Sequence, residues 1–452
     1  MKQEISQKPS EKVKIKRLYS SGKFTIVRRF LLLGGVACVA GISGTALALV
    51  MAMTPLRNHA ASARLPNRPN DLGSLPATLG RPVNILILGI DNSGHPHSQQ
   101  FTPATAMAGN SDTMLLVRLL PDTHQINVLS IPRDTQVQLP GVGIDKINDA
   151  NVRGGVPLAA QTVSQTLHGV PLDRYIRLDT EGFIHLVDAL GGVAINVPRA
   201  MDYVDRTQQL NIHIAPGMQL LNGQHLQEYI RFRHDEWGDI GRVQRQQEAL
   251  KAILYTLLQP ATISKLPKIL QVAQENVDTD LSVGEMLAIA QFLAHTRAHS
   301  TNFVMLPGRF SLPSEYPLSY WIADPQATAP ILARYFDGPS TVPVNQAFSP
   351  DLQTLQVAVI NATENLEVGT EAVALLRQRG FKNVYLSEHE LDVSSNTLNQ
   401  TQIIAQHGNP EAAEVVRQLI KTGQVEVVST GDLSSDVTVV VGTDLAKQLT
   451  RQ

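Results

Sequence analysis

A run of 24 residues without a charge, Phe30 to Met53 (FLLLGGVACVAGISGTALALVMAM), constrains this chain more than any other feature. About 20 apolar residues in a helix cross the hydrocarbon core of a bilayer, so the run can span one. The 29 residues before it carry nine Lys and Arg against only Glu4 and Glu11. Basic flanks stay in the cytoplasm. This predicts residues 1–29 as a cytoplasmic tail and 30–53 as a single transmembrane helix, with the bulk held outside at the cell membrane. A cleaved signal peptide is the rival reading, but its apolar region is usually about 7–15 residues. Cys38, the single cysteine, excludes an internal disulfide framework. The GVAC around it lacks the Leu three positions earlier that a lipoprotein site would carry, so Cys38 reads as small filler in a membrane helix.

The charge balance then excludes a class of function. Beyond residue 29 the chain has 29 Lys and Arg against 38 Asp and Glu. DNA binding is driven mainly by Lys and Arg neutralising phosphates. An acidic body outside the cytoplasm is not built for that, so no nucleic-acid partner is expected.

Residues 54–80, rich in Pro, Asn, Ala and Gly and without periodicity, read as a linker. Strand and helix patterns mix over 81–336. VNILILGID opens this body with a nearly continuous apolar run, as in a strand buried on both faces. MLLVRLLP and INVLSIP flank the turn-like DTHQ and predict a hairpin. Helices are expected at Val156–His168, at Thr180–Leu190 and over NGQHLQEYI, with strands at RYIRL and VAINV. A second linker covers 337–352. Residues 353–445 alternate again: LQVAVINA, NVYLS, VEVVS and VTVVVG as strands, GTEAVALLRQRGF and PEAAEVVRQLIKTG as helices. The expected fold is α/β (α+β): a central mixed sheet flanked by helices, then a small C-terminal α/β domain.

Polar residues converge on one end of that sheet. Asp91 is placed just past the first strand, Asp112 just before the second, and Arg133 and Asp134 just past the third. Alone, each carboxylate reads as turn chemistry. If the strands run up, down, up as neighbours, they gather, and two adjacent carboxylates repel unless a cation sits between them. Mg²⁺ binds through one or two carboxylates plus substrate phosphates, which suits Asp91 and Asp112.

The segment RFRHDEWGDIGRVQRQQ, residues 231–247, supplies positive charge. Arg231 and Arg233 follow one helix, and Asp239 is placed as the N-cap of the next. Arg242 and Gln246, four apart, share a face near its positive N-terminus. Arginine suits bidentate phosphate contacts. Several arginines beside a metal site point to a ligand with several negative charges, most simply a diphosphate. A salt-bridge network among Arg231, Arg233, Asp235, Glu236 and Asp239 is the alternative.

These stretches resemble the LytR-CpsA-Psr family. ILILGID, SDTMLLVRL, INVLSIPRD, DKINDANVRGG, VDALGGVAINVP, LLNGQHLQEYIRFRHDEWGDIGRVQRQQ, and LPG followed by SYWIADP occur in family order over about Val83 to Pro325. The tail resembles the LytR C-terminal domain, with the usual glycine-rich step reduced to ENLEVGTEA. The resemblance implies a membrane-anchored phosphotransferase acting in cell-wall assembly outside the cytoplasm. It would take a glycan from a polyprenyl-diphosphate carrier and attach it through a phosphodiester to peptidoglycan. It implies Asp91 and Asp112 as ligands of Mg²⁺ (or Mn²⁺), and Arg133, Arg231 and Arg233 as diphosphate contacts. Arg242 and Gln246 would line the same site, and Lys146 and Asn148 would belong to a motif beside the pocket. Asp134 or Asp235 is the expected base. The lipid tail would lie in an apolar tunnel lined by helices such as Leu250–Leu258. In GIDNSG, Asn92 and Ser93 stand where many relatives place Arg, and His95 and His97 read as loop histidines rather than a metal pair.

Three rivals stand against this reading. A transcriptional attenuator needs a cytoplasmic DNA-binding module, and 29 residues are too few for one. A non-catalytic glycan-binding protein would not need paired aspartates with an arginine cluster, and 5% aromatic content offers few stacking platforms. A hydrolase that only cleaves the diphosphate would use the same site, with water in place of a sugar hydroxyl.

Overall fold

The computed structural model describes residues 79–91, 107–205, 210–232, 238–297, 300–338, 351–387 and 398–450. The basic tail, Phe30–Met53, most of the first linker and of the second, the loop with His95 and His97, and both Arg233 and Asp235 lie outside the described residues. Among the described residues, no helix is long and apolar enough to cross a membrane.

Among the described residues, six strands form the central sheet: β1 (Val83–Asp91), β2 (Asn110–Leu120), β3 (Gln125–Ile131), β4 (Arg174–Asp179), β5 (Val277–Thr279) and β6 (Thr301–Met305). Their order is β5-β4-β1-β2-β3-β6. β1, β2 and β3 run up, down, up as expected, while β4 joins β1 and β6 joins β3 in parallel. The sheet is therefore mixed.

Among the described residues, seven helices accompany it: α1 (Asp149–Thr166), α2 (Thr180–Leu190), α3 (Gly223–Arg231), α4 (Gly238–Leu257), α5 (Leu266–Asn276), α6 (Val283–His295) and α7 (Pro325–Tyr335). Local chemistry sets their ends. Asp179 caps α2 by accepting the Gly182 N–H at 2.8 Å, and Gly191 stops it at φ 86°. Asn222 caps α3 through the His225 N–H at 2.8 Å. Inside α1, Gly155 at φ 60° breaks the helical path, and regular turns resume at Val156. That break explains why a helix was legible only from Val156. The N-cap assigned to Asp239 is corrected: α4 already begins at Gly238, so Asp239 falls in its first turn.

Alternation along β1 and β2 divides the two faces. Leu86, Leu88, Met114 and Leu116 pack with Leu129, Ile131, α1 and α7 in one core. Ile85, Ile87, Leu115, Val117 and Leu119 point the other way, toward α2, α4 and α6. Both faces are covered by protein, which accounts for the unbroken apolar run of ILIL.

The C-terminal domain is a five-stranded sheet of β7 (Gln356–Asn361), β8 (Asn383–Leu386), β9 (Gln402–Ala405), β10 (Gln424–Glu426) and β11 (Val437–Val441), in the order β8-β7-β11-β9-β10. Its helices are α8 (Glu367–Gln378), α9 (Pro410–Ile420) and α10 (Thr443–Leu449). β9, in the polar-flanked QIIA, and α10 were not anticipated. The strand expected over VEVVS ends at Glu426.

Candidate active site

Between the second face of the central sheet and the helices lies a cavity of ≈ 670 Å³. Protein interiors hold few voids larger than a water molecule, and ligand pockets are typically about 300–1,000 Å³. The lining divides into two regions. Asp91, Asp112, Arg133, Asp179, Gln227, Arg231, Arg242 and Gln246 contribute the charged and amide groups. The remaining wall is overwhelmingly aliphatic, from Ile85, Val117 and Ile126 on the strands to Leu250, Ile253, Leu254 and Leu257 on α4.

Strand register explains how the two aspartates come to line one cavity. Asp91 is the last residue of β1, where it pairs with Asn110. The placement of Asp112 before the second strand is corrected: it is the third residue of β2. Gly89 faces Thr113 and Ile90 faces Ser111, so Asp112 is the extra residue of a β-bulge. Strict alternation would send Asp112 to the face of Met114 and Leu116. The bulge lets both Asp112 and Thr113 reach the cavity. Bulges commonly re-aim side chains next to active sites.

Neighbours fix the Asp112 carboxylate. Arg133 Nη1 donates to its Oδ2, and Asn148 Nδ2 donates to its Oδ1 at 3.4 Å. The Asn148 carbonyl accepts the backbone N–H of Ser111 at 3.2 Å, pinning the bulge from behind. Asp134 holds three cations together: Lys146 Nζ at 2.7 Å from Oδ1, with Arg133 Nε and Arg242 Nη2 each 3.7 Å from Oδ2. Lys146 and Asn148 do not line the cavity. They touch Asp134 and Asp112, the carboxylates beside the guanidiniums.

Packing between α3 and α4 brings Arg231 to this end. Tyr229 Oη donates to Glu248 Oε2 at 2.8 Å across the two helices. Burial pushes the Glu248 carboxyl above its ordinary value and the Tyr229 hydroxyl well above its own. Arg245 donates to the Phe232 carbonyl, and its guanidinium lies 5.5 Å from the Phe232 ring centre. Arg242 and Arg245 are both buried. Within the described part of this segment, Arg242 and Arg245 are thus packed inside the protein rather than facing solvent.

The site also contains residues that the sequence did not single out. Thr113, Asp179, Thr180 and Gln227 line the cavity. Asp179 is the last residue of β4, whose parallel register sets it beside Ile90. Its signal was the N-cap pattern after a strand, which reads as helix capping, a role it also fills.

Asp91 and Asp112 fit a divalent cation of the Mg²⁺ kind. They offer hard oxygen donors at one cavity end. Among the described residues no group of three His, Cys, Asp or Glu gathers as a closed metal site. A two-carboxylate site leaves the other positions for water and phosphate oxygens.

A sequence model of the LytR_cpsA_psr family matches residues 59–334, more than half of the chain. The chain belongs to the LytR-CpsA-Psr family. A second model, described as LytR cell envelope-related transcriptional attenuator, matches residues 354–445. One relative is the polyisoprenyl-teichoic acid–peptidoglycan teichoic acid transferase TagV of Bacillus subtilis, 34% identical over 216 residues, or 47% of this chain and 53% of TagV. Another is the transferase of the same description, TagU, from Oceanobacillus iheyensis, 35% identical over 226 residues, or 48% of this chain and 65% of TagU. The chain thus spans between half and two thirds of the length of these family members. The crystal structure of B. subtilis TagV is 29% identical at a TM-score of 0.48, covering 57% of this chain and 99% of that one.

Proposed function

We propose that this protein is a phosphotransferase that moves a glycopolymer from a polyprenyl-diphosphate carrier to peptidoglycan. One observation carries the reading: a single cavity has carboxylates and guanidiniums at one end and an aliphatic wall beyond. A polyprenyl diphosphate is the complementary shape, a multiply charged head on a long apolar chain. The names of the relatives, transferases of polyisoprenyl-linked teichoic acid to peptidoglycan, support the same class of donor and acceptor.

In this proposal Arg133, Arg231 and Arg242, with Gln246, bind the diphosphate oxygens, and Arg233 joins them from the adjoining segment. Catalysis of phosphoryl transfer is mostly positioning and charge stabilisation, the tasks these groups are suited to. Asp91 and Asp112 would hold Mg²⁺ or Mn²⁺, which when bound neutralises charge on the diphosphate. A sugar hydroxyl of peptidoglycan attacks the sugar-proximal phosphorus and loses its proton. The bond from that phosphorus to the bridging oxygen breaks, and polyprenyl phosphate leaves. The many cations around Asp134 suit it to fixing Lys146, Arg133 and Arg242, which leaves Asp235 as the carboxylate to test as base. Phe30–Met53 would anchor the chain in the cell membrane as a single pass, with the N-terminus cytoplasmic.

The test is transfer itself. Purified full chain is incubated with a lipid-linked glycopolymer, peptidoglycan and Mg²⁺, and muramidase fragments are analysed by mass spectrometry. A glycopolymer–muropeptide phosphodiester is expected. Free glycan phosphate without that product would replace the transferase reading with hydrolysis.

A further inference from the structure

The C-terminal domain meets the cavity from outside. Among the described residues, its sheet is buried on both faces, yet its own helices cover only one. Val357, Val359, Val437, Val439 and Val441 pack with those helices. The alternate residues Ile360, Ile404 and Val440, joined by Val428, belong instead to a cluster with Ile85, Leu115, Leu119, Ile126, Val128 and Phe303. Those six residues also line the cavity. The second face of the small sheet therefore backs the cavity wall.

Backbone pairing continues the contact. β6 is the last strand of the central sheet, and such an edge must be covered or paired. Phe303 N–H donates to the Val427 carbonyl at 2.9 Å, Phe303 bridges Val428 in parallel, and Met305 N–H donates to Ser429 Oγ at 2.9 Å.

Two further bonds reach the helix that carries site residues. Gln244 Nε2 donates to the Gly431 carbonyl at 2.9 Å, and Lys251 Nζ pairs with Glu426 Oε2 at 2.7 Å. Burial opposes the charge on Lys251, yet the Glu426 carboxylate holds its pKa above the ordinary value. Gln244 and Lys251 are seven residues apart, two turns along one side of α4. Arg242 and Gln246 flank Gln244, and Leu250 precedes Lys251, all three lining the cavity. A helix held at both points cannot rotate or slide without breaking one of them.

We propose that the C-terminal domain is a positioning element of the catalytic unit, fixing α4 through Gln244–Gly431 and Lys251–Glu426 and so setting where Arg242 and Gln246 stand. This rests on the phosphotransferase reading above and goes beyond it: Gln244, Lys251 and Glu426 touch no substrate and act through α4. The domain is thus a fixed part of the transferase rather than a separate module on a tether.

The test uses the full chain carrying Glu426→Gln, Gln244→Ala, or the exchange Lys251→Glu with Glu426→Lys. Three readings are taken: amide hydrogen exchange, affinity for a fluorescent polyprenyl-phosphate analogue, and kcat and KM for the lipid-linked donor. Glu426→Gln should raise exchange in α4 while β1–β3 keep their protection. It should lower kcat about tenfold, the weight of one charge-assisted contact. KM should change little, and the exchanged pair should recover much of both losses. Wild-type exchange in α4 together with wild-type turnover in Glu426→Gln and Gln244→Ala would overturn the proposal. Loss of protection spread evenly over β1–β3 would do the same, reducing the pair to general stability. If the unaltered chain turns over no donor, the phosphotransferase reading fails, and positioning is then judged by exchange and analogue affinity alone.

Discussion

Replacing Asp112 by Asn separates the metal and phosphate chemistry from the architecture. The two side chains are nearly isosteric, so the bulge that places residue 112 should persist. What changes is one charge. In the folded protein that carboxylate accepts from Arg133 and Asn148. The Arg133 and Asp112 side chains are 22% and 25% exposed, and water-accessible ion pairs contribute about 0–1 kcal/mol. For a chain of this size, such a loss moves Tm by about 1 °C or less. The functional loss should be larger. A charge-assisted contact is worth about 1.5–3 kcal/mol, and each 1.4 kcal/mol is about tenfold. Turnover, and Mg²⁺ affinity measured by calorimetry with a non-hydrolysable polyprenyl-diphosphate analogue, should each fall about ten- to a hundredfold. Unchanged Mg²⁺ affinity and turnover in a folded Asp112→Asn protein would refute the assignment. A drop of ten degrees or more in Tm would show that the carboxylate is chiefly structural.

Filling the cavity should separate head from tail: Val117→Trp is expected to abolish binding of long-chain polyprenyl phosphates in a fluorescence assay while leaving a short-chain diphosphate analogue within about threefold, less than one kcal/mol; equal loss of both would argue against the apolar wall as the tail site. Glu285→Ala should destabilise by about 3–5 kcal/mol in urea titration, because it leaves the buried Arg174 unpaired; a change under 1 kcal/mol would show that the pair is dispensable. Burial alone would raise the pKa of Glu285, but the Ser282 backbone N–H and the Arg174 guanidinium hold it below the ordinary 4.5. The carboxylate form is therefore the stabilising one: its contribution is complete above about pH 5 and fades as acid protonates it, so the wild type should lose more stability below pH 4.5 than Glu285→Gln, and parallel curves would contradict this. A reporter active only outside the cytoplasm, fused after Gln452, should be active; activity of a cytoplasmic reporter there would reverse the proposed topology.

The central sheet was readable because its pattern is locally determined. The ILIL run can only be satisfied by burial on both faces, and the β2–β3 hairpin is closed by four polar residues between two apolar runs. The ends of α2 and α3 follow from Asp179, Gly191 and Asn222, each acting within three residues of its partner. What escaped depends on distant pairing. β5 has three residues and finds its place only against β4, and β9 gains strand character from β10 and β11 on either side. Neither pattern carries its partner in its own sequence.

The site divides in the same way. Carboxylates and arginines near strand ends were legible as a cluster, because an up-down-up sheet must bring those ends together. Their division of labour was not. Asp134 stands next to Arg133 in PRD and reads as a free acid, yet Lys146 and two guanidiniums surround it. Lys146 reaches it because a short hairpin, Gln136–Leu139 with Gly143–Lys146, folds the chain back so that Lys146 lies opposite Gln136. The bulge at Asp112 is the sharpest case. Alternation assigns Asp112 to the wrong face, and only the pairing of Gly89 with Thr113 and of Ile90 with Ser111 turns it inward. In a strand that is apolar on both faces, a carboxylate needs a polar opening to face. A bulge beside a cavity gives it one, at the cost of a disrupted ladder. That disruption is tolerable because Asn148 accepts the Ser111 N–H that the ladder would otherwise have to satisfy. Asn148 in KIN is thus tied to the aspartate 36 residues before it by backbone accounting as well as by its side-chain amide.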